Sequence, residues 1–273
     1  VLKEACTRFK KNALICQVLA RYFYIKEKKF DLALIWAKEA RRRAPHNSYI
    51  SDTLGRVFKS QLRYWVDRRV KSASLTAEEL EHFLDLAQSA SQDFRISQQE
   101  AENEHNERLQ CQKLKSKLQS YNTSGYLGEI ETGLYIIDVL MLVPFISKEV
   151  LQCRENTIEH LLEISGLNID SKMFAALKPY SSFINDLQPN LKRAFDFFED
   201  YFVFFKTQMN EKEIAEANIY KKVQECFTKY AEIFCDWNID QLRSQQFLVC
   251  PLTQRIEACR KMVEASKADS FSG

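Results

Sequence analysis

The stretch SDTLGRVF at residues 51–58 decides the fold class of this chain, and QVLARYFY at residues 17–24 lies 34 positions before it. In the later stretch, Leu54 and Gly55 are followed three residues on by Phe58. Residues at this spacing lie on one face of a helix, and a 34-residue period is typical of stacked helix pairs. The two stretches therefore predict helix pairs at the start of the chain.

The residues between the two stretches fit the second helix of such a pair. Small residues recur where paired helices touch, and a proline follows where the helix has to stop. The pattern is that of a tetratricopeptide repeat, although the aromatic residue expected at position 37 lies instead at Trp36. An ordinary helical hairpin that ends at a proline is the alternative. The positions assigned to repeat packing are Ala20, Tyr24, Ala33, Ala40, Pro45, Leu54, Gly55 and Phe58.

The period weakens after the second helix pair. Thr76 and Glu79 have the spacing of a capping box, which predicts a helix start. The small and aromatic pair expected later in that helix, Ala90 and Phe94, lies 23 residues beyond the predicted place. We therefore expect an all-α fold in which tetratricopeptide-like repeats continue into an irregular helical array. The expected divisions are repeats over residues 1–100, a polar linker or insertion over 101–120 with partial disorder at 100–110, and an irregular helical extension packed on the repeats over 121–273.

Composition agrees with the all-α class. The 273 residues include only 6 Gly and 5 Pro, and strong helix formers fill the stretches between them. The most apolar segment, residues 134–146, is shorter than the roughly 20 residues that span a bilayer, so we expect no membrane insertion. Residues 1–11 carry no helix-start signal, which predicts that the chain begins inside a helix of a longer protein.

The sequence offers no recognisable reactive centre. It contains no phosphate-binding G-x-x-x-x-G-K motif and neither G-x-S-x-G nor H-E-x-x-H. None of the 8 cysteines forms a C-x-x-C pair, and the 4 histidines are scattered. Reduced, buried thiols in a cytosolic protein are therefore expected, without a metal site. We also expect no catalytic residue and no cofactor.

Charge is distributed unevenly along the chain. Residues 1–75 contain 18 Lys/Arg and 6 Asp/Glu, whereas the remaining residues contain 21 and 31. Cations at a helix end stabilise its macrodipole, which is the structural interpretation of the run at residues 41–43. A joined basic surface that contacts an acidic partner or a phosphate backbone is the functional one. The candidate surface comprises Lys26, Lys28, Lys29, Arg41, Arg42, Arg43, Arg63, Arg68, Arg69 and Lys71.

Seven aromatic residues are concentrated within residues 195–205. Most of them fall on one helical stripe, and Phe197 and Phe204 form a second. Two apolar stripes predict a helix that is buried on two sides. The alternative is a groove for a partner.

Several segments resemble the sterile alpha motif domain-containing protein nine family. They are ARYFYIK (20–26), WAK (36–38), NSYISDTLG (47–55), YLGEIE (126–131), LKRAFDFF (191–198) and EIAE (213–216). The resemblance implies a region of large, cytoplasmic, interferon-inducible multidomain proteins that restrict poxviruses and repress translation. It also implies that the effector and nucleotide-binding residues lie in other domains, so none is assigned here.

Two functions follow as expectations. The first is a non-catalytic helical-repeat interaction and regulatory region, whose partner is another domain of the parent chain or a separate protein. The alternative is a nucleic-acid-binding module that uses the basic residues 1–75 and binds weakly.

Overall fold

The computed structural model describes residues 2–69, 74–110, 121–152, 171–205 and 213–235. Within these ranges all regular secondary structure is helical, which confirms the predicted all-α class. The tetratricopeptide-like arrangement of the helices stays a prediction. The helices are α1 (Leu2–Arg8), α2 (Ala13–Tyr22), α3 (Phe30–Arg43), α4 (Ser48–Arg68), α5 (Ala77–Gln110), α6 (Ser124–Leu140), α7 (Lys148–Gln152), α8 (Ser171–Leu177), α9 (Ser181–Asn185), α10 (Leu187–Phe205) and α11 (Glu213–Phe234).

Helices α2 and α3 form the first pair, and small residues let them approach. The Asn12 side chain caps α2 by accepting hydrogen bonds from two backbone N–H groups. A π-helical turn over Phe23–Glu27 extends α2 and ends at Lys28, which adopts the left-handed conformation with φ 55°. The predicted packing residues Ala20, Ala33 and Ala40 are fully buried in the shared core.

Helix α4 is buried on two sides. The Asn47 side chain caps the N-terminus of α4 by accepting a hydrogen bond from the Ile50 N–H at 3.0 Å. One side of α4, with Ile50 and Leu54, packs into the core of the first pair. The other side, with Ser48 and Gly55, meets α5.

The capping box predicted at the start of α5 is confirmed. The Thr76 N–H donates to the Glu79 carboxylate at 3.0 Å, and the Glu79 N–H donates to the Thr76 hydroxyl at 3.2 Å. The expected partial disorder at residues 100–110 is wrong, because α5 continues to Gln110. The Glu102 side chain of this part of α5 contacts α6, because its carboxylate accepts a hydrogen bond from the Tyr126 hydroxyl at 2.7 Å. Residues 111–120 of the expected linker lie outside the described residues.

The buried Phe94 of α5 fills the space between α4 and α6. A Cβ atom added at Gly55 of α4 would lie 2.8 Å from the Phe94 ring. One added at Gly128 of α6 would lie 2.4 Å from the same ring. Glycine is therefore needed at both positions, since the backbones of α4 and α6 approach this aromatic ring from two sides.

The chain divides into two compact units, Val1–Ala194 and Phe195–Gly273. In the second unit, Phe195 of α10 packs edge-to-face on Phe227 of α11, with ring centres 5.3 Å apart. Phe198 and Phe202 are buried and stacked at 5.7 Å, and Phe197 is half-buried. The described side chains of the main aromatic stripe, Phe195, Phe198, Tyr201 and Phe202, are thus buried by packing within this unit.

Candidate interaction surfaces

The structure separates the predicted basic residues into two groups. Helices α3 and α4 run antiparallel, because Phe30 at the start of α3 contacts Tyr64 near the end of α4, with ring centres 5.3 Å apart. The run at residues 41–43 lies at the opposite end of α3, about 20 Å away. Lys71 is outside the described residues. The first group comprises Lys26, Lys28, Lys29, Arg63, Arg68 and Arg69, and the second comprises Arg41, Arg42 and Arg43.

The arginine run at the end of α3 is paired within the chain. Arg41 forms an ion pair with Asp93 of α5 at 2.8 Å. Arg42 and Arg43 both bind the carboxylate of Glu39, at 2.8 and 2.7 Å. These hydrogen bonds lower the pKa of Glu39 from 4.5 to about 2, whereas burial raises the pKa of Asp93. The run is therefore committed to contacts with this chain's own carboxylates.

Arg43 also ties α1 to α3. Its guanidinium donates hydrogen bonds to the backbone carbonyls of Cys6, Phe9 and Asn12, each at 3.2 Å. Only 8% of its side chain is exposed. With four hydrogen-bonded partners, Arg43 is a structural residue. This agrees better with the interpretation that the arginines stabilise the end of α3 than with the interpretation that they form a contact surface.

The other group of basic residues is only partly engaged. Arg68 lies over the Tyr64 ring at 4.1 Å, and Arg63 lies over the Tyr135 ring at 5.6 Å. Arg69 pairs with Glu79 at 3.5 Å. Lys29 pairs with Glu27 at 2.5 Å, while Lys26 and Lys28 are exposed.

A cleft of about 700 Å³ opens between α1 and α3. Lys10, Lys38 and Arg42 contribute positive charge to its lining, and Trp36 contributes an aromatic ring. The Cys6 thiol also lines it and lies 3.5 Å from the thiol of Cys16. Burial raises the pKa of the Cys16 thiol to about 12, so this thiol stays protonated at neutral pH.

The remaining repeat-packing residues occupy different environments. Leu54 and Tyr24 are buried, and Phe58 is half-buried. Gly55 lies against Phe94. Pro45 is exposed in the connection between α3 and α4.

One exposed apolar surface among the described residues was not predicted from the sequence. Four apolar side chains of α2 and its π-helical extension follow one another at steps of four, four and three residues, which places them on one face. We call this the α2 face; it consists of Leu14 (60% exposed), Val18 (45%), Tyr22 (45%) and Ile25 (43%). Tyr49 lies beside it, because the Gln17 amide donates to the Tyr49 carbonyl at 2.5 Å.

A signal for this surface does exist in the sequence. Eleven of the thirteen residues from 13 to 25 are apolar. A helix that is apolar nearly all round requires cover on more than one side. The core of the first helix pair covers only the side of α2 that carries Cys16 and Leu19.

The positions of α4 that lie 34 residues after those of the α2 face carry polar side chains that are paired within the chain. Ser48 donates two hydrogen bonds to Glu104 of α5, at 2.8 Å from its N–H and 3.0 Å from its hydroxyl. Lys59 pairs with Glu131 of α6. Asp52 is 3% exposed and binds Arg56 at 2.8 Å. We call Ser48, Asp52, Arg56 and Lys59 the α4 face. It is polar, and α5 and α6 cover it except at Arg56, whose side chain is 38% exposed, whereas the α2 face is apolar and exposed.

The buried carboxylate of Glu129 in α6 joins three helices. It accepts hydrogen bonds from Arg95 at 3.0 Å, from Gln98 at 2.6 Å and from Arg193 of α10 at 3.2 Å. Only 3% of Glu129 is exposed. Since these bonds occupy both oxygens, Glu129 holds the helices together and is not presented as an acid or a base.

Two further observations concern the described ranges only. They contain no group of three His, Cys, Asp or Glu side chains arranged to hold a metal ion. Among the helices seen there, none is long and apolar enough to cross a membrane.

These features define the class of the molecule as an all-α region whose described part exposes one apolar helix face, the α2 face. Over its whole length the chain is 43% identical to human sterile alpha motif domain-containing protein 9-like and 42% identical to human sterile alpha motif domain-containing protein 9. The mouse 9-like protein is 39% identical. The resemblance to the sterile alpha motif domain-containing protein nine family is thereby confirmed.

The similarity covers only part of each relative. The chain is matched completely, but it spans 17% of the length of either human protein and 16% of the mouse protein. No family model and no solved structure matches the chain.

Proposed function

We propose that this chain is a non-catalytic interaction and regulatory region of a larger, cytoplasmic, interferon-inducible antiviral protein that represses translation. Its partner is another part of the parent chain or a separate protein. The observation that supports this proposal is the α2 face, which exposes four neighbouring apolar side chains on a well-packed helix. Contiguous exposed apolar side chains of this kind mark surfaces that bind other protein segments.

The α2 face is large enough to contribute to binding. Complete burial of a large apolar side chain stabilises by about 1.5–3 kcal/mol, and the four side chains are roughly half exposed. Covering them would therefore contribute on the order of 3–6 kcal/mol before the entropy of association is subtracted. The tetratricopeptide-like arrangement of residues 1–100 and the helical extension over residues 121–273 form part of the same proposal.

Calorimetric titration tests this function directly. The 273-residue chain is titrated with the parent protein from which this segment has been deleted. We expect saturable binding, and we expect it to weaken when Leu14 and Val18 are both changed to Lys. Failure of the chain to bind any part of the parent would contradict an intramolecular regulatory role.

Nucleic-acid binding is the second candidate, and one observation favours it. Lys10, Lys38 and Arg42 line the cleft between α1 and α3 beside Trp36, so phosphate contacts and base stacking are both available there. Against it, Arg42 of this lining and its neighbours Arg41 and Arg43 are all bound to carboxylates of this chain.

Fluorescence anisotropy with single-stranded RNA at increasing salt separates the two functions. A nucleic-acid site predicts that the logarithm of the affinity falls linearly with the logarithm of the salt concentration, and that Lys10→Glu with Lys38→Glu abolishes binding. Unchanged RNA binding in this double variant would exclude the cleft as the nucleic-acid site.

A further inference from the structure

We infer that the α2 face binds an amphipathic helix whose apolar stripe is flanked by acidic residues. This inference rests on the proposed function and specifies the chemistry of the partner. Three properties of the described residues carry it: the shape of the α2 face, the way in which the α4 face is covered, and the charges around the α2 face.

The shape of the α2 face fits a helix. From Leu14 to Ile25 it extends over eleven residues, or about 16 Å, which corresponds to three helical turns. Because the backbone groups of α2 are bonded within the helix, the face offers side chains and no free strand edge. A partner that contacts side chains at steps of three and four residues is a helix laid along this face.

The chain itself shows how such a face accepts a helix. At the α4 face, α5 supplies Glu104 to Ser48 and packs Phe94 against Gly55. Ser48 and Lys59 of the α4 face are matched by carboxylates of the covering helices α5 and α6, and Asp52 pairs with Arg56 within α4 itself. By the same rule, the apolar α2 face is complementary to a helix with apolar residues along its contact stripe.

Exposed cations surround the α2 face. Lys11 precedes Leu14 by three residues, Arg21 lies between Val18 and Ile25, and Lys28 follows Ile25 by three residues; all three cations are exposed. The nearby acidic residue Glu27 already binds Lys29 at 2.5 Å and the Tyr22 hydroxyl at 2.7 Å. A partner with acidic residues at its edges complements this rim.

The same rim disfavours a second copy of this chain as the partner. In a symmetric dimer through the α2 face, each copy would present Lys11, Arg21 and Lys28 to the same cations of the other copy. Like charges placed opposite one another across an interface are unfavourable. The acidic amphipathic helix avoids this repulsion and covers the same apolar side chains.

Two model helices test the inference. Both are fluorescent peptides of about 18 residues with the same leucine stripe, and the residues beside the stripe are Glu in one and Lys in the other. Anisotropy with the 273-residue chain should show the Glu-flanked peptide binding at least about tenfold more tightly at low salt, with the difference shrinking at high salt. Equal affinities, or no binding of the Glu-flanked peptide, would overturn the inference.

Matched variants locate the binding surface. Leu14→Gln together with Val18→Gln should weaken binding of the Glu-flanked peptide at least about tenfold, because Gln removes the apolar contact without adding a cation that would attract the peptide. Leu142→Gln is the control, because Leu142 is 51% exposed on the turn after α6, close to the 60% of Leu14. Circular dichroism should show the same helix content in all variants. An equal loss in the Leu142 variant, or dimerisation of the chain through the α2 face, would contradict the inference.

The two proposals fail in different ways. If the remaining parent protein binds the chain and the Leu14/Val18 variant equally well, the interaction function stands and the α2 face is excluded. If the Glu-flanked peptide binds at the α2 face but the parent protein does not bind at all, the recognition chemistry stands and the intramolecular function fails.

Discussion

Helices α2 and α4 stand 34 residues apart in the chain, and they use corresponding positions in opposite ways. The α4 face is polar, and its residues are paired with side chains of their own helix, of α5 and of α6. The α2 face is apolar, and about half of each of its side chains is exposed. The difference teaches that polar residues on a buried helix face identify an intramolecular interface that the chain completes itself. In our proposal, the apolar residues left exposed at the equivalent place form a surface that a partner completes.

The pairing of the α4 face is consistent with the cost of burying polar groups. An unsatisfied buried donor or acceptor costs about 1–3 kcal/mol, so each buried polar group needs a partner, either on a covering helix or on its own. Glu104 and Glu131 provide such partners for Ser48 and Lys59. Exposed apolar side chains carry no comparable requirement, which allows the α2 face to remain uncovered in the folded chain.

The largest expected effect comes from emptying the space between α4, α5 and α6. Phe94→Ala removes a fully buried ring that contacts Gly55 and Gly128. We expect the free energy of unfolding to fall by about 3–5 kcal/mol, because the cavity is lined by backbone that cannot easily collapse. Urea denaturation measures this. Phe9→Ala, at a residue that is 53% exposed, is the control and should change little. Similar losses in both variants would mean that α5 does not cover α4 through Phe94.

A smaller loss of stability is expected when the buried polar contacts of Glu129, which join α5, α6 and α10, are weakened. Glu129→Gln keeps the shape of the side chain but removes its charge from Arg95 and Arg193. We expect a loss of about 1–3 kcal/mol in the free energy of unfolding, because both arginines are partly exposed and can turn to water. Glu78→Gln, on the exposed side of α5, serves as the control in chemical denaturation. An unchanged stability would show that packing alone holds α5 on α6.

A third prediction concerns the ion pairs of Glu39 in α3. Glu39 is bound by Arg42 and Arg43, and its pKa is lowered from 4.5 to about 2. A lowered carboxyl pKa stabilises the folded state above the ordinary pKa, and this stabilisation is lost as the pH falls towards 2. Glu39→Gln should therefore reduce stability at pH 6 by about 0.5–1 kcal/mol, allowing for solvent screening. Thermal melts from pH 6 to pH 2 should show the two curves converging. A difference that persists at the lowest pH would contradict the ion-pair explanation.

The sequence was sufficient for local features of the fold. Helix formers between few glycines and prolines predicted the all-α class, and the spacing of Thr76 and Glu79 predicted the start of α5. The burial of Ala33 and Ala40 followed from the pattern of small residues. Each of these depends on neighbours within one or two helical turns.

Features that depend on distant neighbours could not be predicted in this way. The partners of Arg43 include the carbonyls of Cys6, Phe9 and Asn12, which lie more than 30 residues away in the chain. The α2 face is exposed because no described segment of the chain packs on it, and this depends on the paths of segments that are distant in the sequence. The sequence shows that α2 is apolar nearly all round, but the helical pattern cannot tell which side is left open.

The most direct test of the comparison is to give α2 the residues that α4 carries 34 positions later. The exchange is Leu14→Ser, Val18→Asp, Tyr22→Arg and Ile25→Lys, all at exposed positions, so the unfolding midpoint should stay close to that of the original chain. Calorimetric titration with the parent protein lacking this segment is the measurement. We expect the original chain to bind and the exchanged chain to show no detectable binding. Equal binding by both chains would contradict the claim that the α2 face is the contact surface.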